Sequence, residues 1–413
     1  MKIHKILRFI IRAFFLPTVA LASLLCGCPR EPKAPETNQP TNSLAEDDFI
    51  KIGVAIPLTG ATAGFGNAIQ RGIELAIKEL NEKGGIYKKK FAVFYEDTEG
   101  KSSFVGALTR KLVLSKGVDF LIGSASSAES IEMAKAAEQL QVPLVVPVAT
   151  NPLVTIDESG ATRKYTFRVC FTDEFQGKAI IWFARNVLKA KRIAILWDAS
   201  SSYSKHLREV ILEEITNRYA DVKIAADESY IGGGILSSFK PSVDRLFQAS
   251  FDTLLLPAYY ADAVGIIREV RARDAKFNIV GSDGLGSYQF LREAGSAAEG
   301  VYLTNHFSAD YPGELAKDFV EKFYKEYNVL PDAISALAYD SMVLLARAIE
   351  SAQTLDRNAV TEAISKIKNV EGVSGVISIG DDHNAIRNVF VERISELKFK
   401  YVRMIKPEEL EKK

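Results

Sequence analysis

Hydroxyl-bearing residues in the first half of the chain could bind a carboxylate. Residues 123–127 (GSASS) follow a short apolar run and precede a helical pattern, and residues 147–150 (PVAT) follow the next apolar run. Serine and threonine hydroxyls donate hydrogen bonds, and the unpaired backbone N–H groups at the start of a helix attract anions. Either serine before the helix could instead serve only as its cap. The candidate site residues in these segments are Ser126, Ser127, Val148, Ala149 and Thr150.

The second half of the chain contains groups that suit an ammonium. Residues 198–203, 258–260 and 282–284 follow apolar runs and contain phenols and carboxylates. Tyr259 and Asp283 are candidates for binding an ammonium, although Asp283 could instead be a turn residue beside a glycine. Open parallel sheets bind ligands beyond the carboxyl ends of their strands. Two such sheets facing each other would therefore offer a zwitterion complementary groups at both of its ends.

The motifs of common enzymes are missing from the sequence. The glycine spacing in residues 60–66 (GATAGFG) is not the G-x-G-x-x-G that accommodates a dinucleotide pyrophosphate. Residues 100–102 (GKS) resemble the end of a phosphate-binding loop, but Tyr95 stands where that loop requires its first glycine. No G-x-S-x-G or H-E-x-x-H motif occurs. We therefore predict neither a catalytic centre nor a nucleotide cofactor.

Metal and nucleic-acid binding are also disfavoured. The four histidines are far apart in sequence, and Cys170 is the only cysteine beyond the first 28 residues. A metal cluster or an intrachain disulfide in the body of the protein is therefore not expected. The chain has 52 lysine and arginine residues and 52 aspartate and glutamate residues. It therefore lacks the net positive charge that attracts nucleic acid.

Elements that could position these residues alternate along the chain from Phe49. Short apolar runs near 50–57, 91–95, 118–122 and 144–148 are separated by helical patterns, and a second series has strands near 192–197, 222–226, 253–256 and 277–280. Strands that alternate with helices indicate parallel sheets covered on both faces. The fold class predicted is therefore α/β, with two doubly wound parallel-sheet lobes. Later helical patterns near 314–328, 332–350 and 357–368 are expected to complete these lobes.

The N-terminus has the features of an export signal. A basic head precedes residues 13–27, which are uncharged and too short for the roughly 20 residues that span a bilayer. Residues 25–28 (LCGC) resemble the bacterial lipobox, which implies lipid attachment at Cys28. A plain signal peptide with incidental cysteines is the alternative. Residues 29–48 are rich in proline and polar residues, so a disordered tether is expected there.

Longer segments of the body resemble the Leu/Ile/Val-binding family, the type I periplasmic solute-binding proteins of ABC transporters. The resemblance is carried by residues 50–60, 83–86, 121–123 and 142–152, and it extends over about residues 49–403. It implies a two-lobe clamp in which the chain crosses a hinge near 168–172, 298–306 and 370–375. The expected organisation is a signal peptide at 1–27, a tether at 28–48, lobe 1 at 49–168 plus 302–372, lobe 2 at 169–301 plus 373–405, and a tail at 406–413.

The resemblance also suggests a role for each candidate residue. Ser127 and Thr150 correspond to hydroxyls that bind an α-carboxylate, with backbone atoms of Val148 nearby, and Tyr259 and Asp283 correspond to positions that bind the α-ammonium. The aromatic positions that line the cleft correspond to Phe65 and Tyr203. Two departures concern the site itself: some members have Glu at position 283, and Phe65 lacks the hydroxyl of a tyrosine. Away from these positions, Ser126 and Glu99 replace a cysteine pair that some members bridge.

The expected function is that of an extracytoplasmic, lipid-anchored receptor without cofactors. It would bind an amino acid, branched-chain or otherwise apolar, by hinge closure and pass it to the permease and ATPase subunits of an ABC importer. Two alternatives remain open at this point. The ligand could be an amide, urea or an aromatic acid, or the protein could be the ligand-sensing subunit of a signalling system.

Overall fold

The computed structural model describes residues 48–233 and 239–411. The predicted signal peptide, Cys28 and almost all of the predicted tether lie outside the described residues. None of the helices formed by the described part of the chain is both long and apolar enough to cross a membrane.

The first lobe contains a five-stranded parallel sheet with the strand order β2-β1-β3-β4-β5. Alternate residues of β1 point to opposite faces, so Ile52 packs with one helix layer, formed by α1 and α10, and Ala55 packs with the other, formed by α2 and α3. The strands are β1 (Phe49–Ile56), β2 (Lys90–Asp97), β3 (Phe120–Gly123), β4 (Leu144–Val146) and β5 (Thr166–Arg168). The helices of this lobe are α1 (Ala63–Glu82), α2 (Ser102–Arg110), α3 (Ser127–Leu140), α9 (Glu314–Tyr327), α10 (Ala333–Ala352) and α11 (Arg357–Ser365).

The second lobe contains a seven-stranded sheet with the strand order β15-β14-β10-β9-β8-β6-β7. Its central strands are parallel, and β14 and β15 extend one edge in antiparallel pairs. The strands are β6 (Arg192–Asp198), β7 (Lys223–Tyr230), β8 (Thr253–Leu256), β9 (Asn278–Gly281), β10 (Tyr302–Asn305), β14 (Val389–Ser395) and β15 (Lys398–Ile405). The helices are α4 (Asp173–Asn186), α5 (Ser202–Arg218), α6 (Lys240–Leu246), α7 (Tyr260–Arg271), α8 (Tyr288–Ala294) and the C-terminal α12 (Pro407–Glu411).

This architecture confirms the predicted α/β class, and it differs from the expectation in details. The strand β10, which opens the segment assigned to lobe 1, is hydrogen-bonded to β9 and β14 in the second sheet. The return to the first lobe therefore comes after Asn305. The helix α4 was not predicted, although Thr172 caps it and Asp173 and Glu174 occupy its first turn. The residues expected to form a tail include α12, in which Leu410 is buried.

Three connections join the lobes. They run from β5 to α4, from β10 to α9, and from α11 to β14 through a small antiparallel sheet. The strands of this small sheet are β11 (Val370–Gly372), β12 (Gly375–Ile379) and β13 (Ala385–Ile386).

One buried side chain contacts all three connections. The guanidinium of Arg387 donates to the carbonyl oxygens of Val169 at 2.6 Å, Ser374 at 2.6 Å and His306 at 3.2 Å. Val169 belongs to the first connection, His306 to the second and Ser374 to the third. Arg387 itself is only 5% exposed. Asp340 of α10 accepts the backbone N–H groups of Val373 and Ser374 and so anchors the third connection to the first lobe.

We expect Arg387→Met to destabilise the protein strongly, because it leaves buried carbonyl groups of three connections without donors. Each unsatisfied buried group costs about 1–3 kcal/mol, so the free energy of unfolding should fall by about 3 kcal/mol or more. Urea unfolding monitored by circular dichroism measures this change. The matched control is Arg393→Met, which removes an exposed guanidinium and should cost less than about 1 kcal/mol. Equal midpoints for the two variants would contradict the role given to Arg387.

Candidate functional site

A cavity lies between the lobes, at the carboxyl ends of strands from both sheets. We call it the cleft cavity. Seven of the nine predicted ligand-binding residues line it: Phe65, Ser127, Val148, Thr150, Tyr203, Tyr259 and Asp283. Ala125, Gly284, Asn305, His306 and Ile334 complete the lining.

The two other predicted residues lie beside the cleft cavity. Ser126 is the N-cap of α3: its hydroxyl oxygen accepts the backbone N–H of Glu129 and donates to the carboxylate of the same residue at 2.7 Å. The side chain of Ser126 is therefore a helix cap, as the alternative prediction for this residue stated. The carbonyl oxygen of Ala149 accepts hydrogen bonds from Arg168 and from the thiol of Cys170, and the Ala149 side chain is buried.

The first-lobe wall presents hydroxyl groups and a helix N-terminus. Ser127 is the first residue of α3, and its backbone N–H donates to the phenol oxygen of Tyr259 at 3.3 Å. Its own hydroxyl oxygen accepts the N–H of Asn151 at 3.4 Å. The hydroxyl of Thr150 is buried and makes no hydrogen bond of good geometry among the described residues, and the buried carboxylate of Asp173 is its polar neighbour. This wall therefore combines an available hydroxyl with the positive end of a helix, and no charged side chain lines it.

The second-lobe wall presents one carboxylate, that of Asp283. Three side chains that carry no charge, or need not carry one, hold it in place. The oxygen Oδ1 of Asp283 accepts from Nε2 of Gln176 at 2.8 Å and from the hydroxyl of Tyr203, and Oδ2 lies 3.1 Å from Nε2 of His306. Burial, followed by the charge of Asp283, raises the pKa of Tyr203 well above its ordinary value, so the phenol stays protonated and donates. A carboxylate has about four acceptor positions. One position of Asp283 therefore remains for a ligand.

Aromatic rings from both lobes form a continuous stack beside these polar groups. The rings of Tyr203 and Tyr259 are stacked with centroids 4.9 Å apart, and Phe65 meets Tyr259 edge-on at 5.8 Å. Phe65 lies in the first turn of α1. The next residue is a glycine whose Cβ would lie 1.8 Å from the carbonyl oxygen of Pro57, so only glycine permits this close approach of α1 to the end of β1.

Direct hydrogen bonds between the lobes show that the cleft is closed in this structure. The hydroxyl of Tyr260 donates to the carbonyl oxygen of Ala61 at 2.9 Å and accepts the N–H of Gly64 at 3.1 Å. Asn151 donates through its side-chain amide to the carbonyl oxygen of Ser202 at 3.2 Å. The N-terminal end of α1 thereby contacts the N-terminal end of α7 across the mouth of the cleft.

Sequence reasoning missed several residues of the site. Gln176 lies on the unpredicted helix α4, and Ile334 lies at the start of α10. Asn305 is the last residue of β10 and His306 follows it, so the strand-end rule points to both residues when it is applied to this strand. The helix-start signal at residues 172–174 would have placed Gln176 on a helix, although not against Asp283.

The described residues offer no sign of a metal site or a reactive thiol. No group of three or more His, Cys, Asp or Glu side chains in residues 48–233 and 239–411 is arranged to hold a metal ion. Burial raises the pKa of Cys170 to about 12, so its thiol stays protonated at neutral pH and packs in the hinge.

The chain is similar to known proteins over most of its length. The family model described as "Periplasmic binding protein" matches residues 50–398. Leu/Ile/Val-binding protein homolog 3 of Brucella melitensis is 25% identical over 333 residues, which cover 80% of this chain and 87% of the relative. The crystal structure of the branched-chain amino acid transporter substrate-binding protein LivJ from Streptococcus pneumoniae, in complex with isoleucine, is 30% identical with a TM-score of 0.80, covering 87% of this chain and all of that chain (100%).

A more distant structure has the same fold with a different kind of ligand. The solute-binding protein of an ABC transporter from Rhodopseudomonas palustris, in complex with 3,4-dihydroxybenzoic acid, is 21% identical with a TM-score of 0.76. The alignment covers 87% of this chain and 98% of that chain. At this identity the similarity concerns the fold alone.

Proposed function

The chain belongs to the periplasmic binding protein family, as a solute-binding protein of the ABC-transporter type and not an enzyme, and we propose that its solute is an apolar α-amino acid. Branched-chain amino acids are the first candidates. The observation that carries the proposal is the single buried carboxylate, Asp283, across the same cavity from an uncharged wall of hydroxyl and helix N-terminal groups. Such a pair of walls complements a zwitterion.

The α-carboxylate is proposed to bind the first-lobe wall. The hydroxyl of Thr150 can donate to it, and the N-terminus of α3 at Ser127 supplies a favourable dipole. When the ligand enters, the N–H of Ser127 can exchange its 3.3 Å contact with Tyr259 for a stronger hydrogen bond to a charged oxygen.

The α-ammonium is proposed to bind Asp283. The donors Gln176 and Tyr203 occupy one carboxylate oxygen and His306 the other, which orients the group and leaves one acceptor position. A fixed, desolvated carboxylate attracts a cation more strongly than a solvated one, because little reorganisation is needed on binding. The shorter side chain of Asp283, compared with glutamate, is accommodated by this set of donors.

The ligand side chain is proposed to contact the apolar part of the lining. Four residues of the lining present only apolar side-chain atoms, and all four belong to the first lobe. Phe65 comes from α1, Ala125 and Val148 from the ends of β3 and β4, and Ile334 from α10. Burying an aliphatic side chain against such a surface is favourable by about 25 cal/mol per Å². These residues favour aliphatic amino acids over charged ones.

Binding is proposed to stabilise the closed arrangement of the lobes. An amino acid that contacts Thr150 in one lobe and Asp283 in the other makes both sets of contacts only when the cleft is closed. Its differential affinity therefore shifts the population toward the closed state. The lobes are proposed to divide near residues 168, 305 and 373. The proposed partners are the permease and ATPase subunits of an ABC importer.

The rival ligand is an aromatic acid. It is favoured by the aromatic rings of Phe65, Tyr203 and Tyr259 in the lining, against which a benzoate ring could pack, and by the fold shared with the dihydroxybenzoate complex. An aromatic carboxylate without an ammonium would leave Asp283 facing no cation. The two candidates therefore differ in whether the ligand must carry an amine.

A thermal-shift screen against the proteinogenic amino acids, urea, short amides and benzoates tests the proposal. A ligand of micromolar affinity present at millimolar concentration should stabilise the protein by about 4 kcal/mol through mass action. We expect a shift with one or a few aliphatic amino acids. For a leucine-type ligand the matched controls are leucinamide, which lacks the carboxylate, and 4-methylpentanoate, which lacks the ammonium, and neither should produce the shift. A shift with benzoates or amides alone would refute the amino-acid proposal.

Asp283→Asn should weaken binding of that amino acid by at least about 30-fold, because removing one partner of a buried charge pair costs about 2–5 kcal/mol. The asparagine has nearly the same shape as the aspartate, so the effect reports charge. Isothermal calorimetry measures the dissociation constant. The control is Asp274→Asn in the second lobe, whose side chain is 91% exposed and should leave affinity unchanged. Unaltered affinity in Asp283→Asn would exclude the ammonium role.

Lipid attachment at Cys28 and a location on the outer side of a membrane are further parts of the proposal. The LCGC segment at residues 25–28 and the preceding apolar run support it. We expect Cys28→Ser to move the protein from the membrane fraction to the soluble extracytoplasmic fraction and to abolish labelling by radioactive palmitate. Cys26→Ser is the matched control and should remain labelled and membrane-bound. Palmitate labelling that persists in Cys28→Ser would rule out this attachment site.

A further inference from the structure

His306 connects the ligand-binding carboxylate with the hinge. Its ring nitrogen Nε2 lies 3.1 Å from Oδ2 of Asp283, and its backbone carbonyl accepts from Arg387, which also binds the two other connections. The imidazole is stacked on the ring of Phe171, with centroids 3.6 Å apart, and the residue is 2% exposed. His306 therefore has little freedom to rotate away from Asp283 while the hinge is intact.

The contacts of the ring are those of a neutral imidazole. When Nε2 carries the proton it donates to Asp283, and Nδ1, which is buried without a partner, is then a bare nitrogen. Protonating Nδ1 would place a second proton on a buried nitrogen with no acceptor. Burial lowers the pKa of His306 below its ordinary value, the charge of Asp283 opposes this shift, and the charge of Arg387 adds to it.

Other titratable groups surround this pair from each neighbouring element. Asp283 and Arg387 face His306 directly. Glu392 of β14 binds the side-chain amide of Asn305, whose oxygen accepts the N–H of His306, and burial raises the pKa of Glu392 to about 7. On the helix side, Tyr203 and Gln176 contact Asp283. Further from the ring are the buried Asp173, which is paired with His206 at 3.0 Å, and the protonated thiol of Cys170.

We propose that His306 is a proton-linked positioning residue of the ammonium site: in its neutral form it orients Asp283 toward the ligand, and its protonation opposes ligand binding. The inference rests on the proposed function and adds a regulation to it. An imidazolium beside Asp283 supplies the positive charge that the ligand's ammonium would otherwise supply, and the two cations would share one carboxylate in a desolvated cavity. Acidification would therefore favour release of the amino acid.

The direction of the linkage follows from the two charge states. A bound ammonium beside Asp283 disfavours the imidazolium, so the pKa of His306 is lower in the complex than in the free protein. Affinity is then constant while His306 is neutral in both states. It decreases as the pH falls through the pKa of the free protein, by up to tenfold per pH unit, and binding in that range releases a proton.

The experiment measures the dissociation constant of the amino acid identified by the ligand screen at pH 5–8, for the wild type and for His306→Gln. Glutamine also places an N–H donor near Asp283 but cannot become a cation. The wild type should bind equally well at pH 7 and 8 and at least threefold more weakly at pH 5. His306→Gln should vary by less than twofold over the whole range. The controls His206→Gln and Glu392→Gln remove the two neighbouring groups that titrate nearby and should keep the wild-type decrease.

A second measurement does not depend on the folding of the His306 variant. The imidazole signals of the wild type are followed by NMR between pH 5 and 8, and the signals of the two other histidines in the described residues are identified with His206→Gln and His383→Gln. Saturating ligand should lower the pKa of His306 and leave the other two unchanged.

Each outcome bears on the inference in a defined way. If the wild type binds an amino acid at pH 7.5 but shows no decrease at pH 5, or if His306→Gln shows the same decrease, the role of His306 is wrong and the proposed function stands. A ligand-independent pKa of His306 also overturns it. If no amino acid binds the wild type at pH 7.5, the proposed function fails, and the inference fails with it.

Discussion

The buried guanidinium of Arg387 is the constraint on which the arrangement of the lobes depends. Its N–H groups are directed at carbonyl oxygens of Val169, His306 and Ser374, one from each connection between the lobes. Taking a guanidinium out of water is costly unless its donors are satisfied, so the three connections must converge for the charge to be buried at all. Their convergence in turn places the carboxyl ends of β3, β4, β8 and β9 on the two sides of one cavity.

The cavity separates its polar groups by lobe. The first lobe supplies hydroxyls and the N-terminus of α3, which are neutral, while the second supplies a carboxylate that is 10% exposed. A buried carboxylate without partners would be unstable, and Gln176, Tyr203 and His306 compensate for its lost hydration. None of these three donors needs to carry a charge. The site thus keeps its negative charge available to a cationic ligand, which a lysine or arginine in the same place would neutralise.

Local patterns in the sequence predicted the elements that depend on local interactions. The helix α3 forms where the pattern after residues 123–127 indicates a helix, because the Ser126 cap and the spacing of its apolar residues are local signals. Strand ends indicated six residues of the cleft cavity because residues after parallel strands gather at one edge of a sheet, and the family resemblance added Phe65. The remaining contacts depend on long-range placement. Gln176 and Asp283 are 107 residues apart, and nothing local to either one indicates that they meet.

The strand β10 shows the same limit for the fold. Its membership of the second sheet depends on hydrogen bonds to β9 and to β14. The strand β14 begins at Val389, 84 residues after β10 ends at Asn305. This pairing has a consequence for the site. Because β10 stays with the second sheet, His306 is the first residue of the connection that returns to the first lobe, and it is also within hydrogen-bond distance of Asp283. Any rotation of the lobes about this connection therefore acts on a residue that contacts the Asp283 carboxylate. The topology of the sheet thus places the hinge contact with Arg387 and the contact with the cleft carboxylate on the same residue.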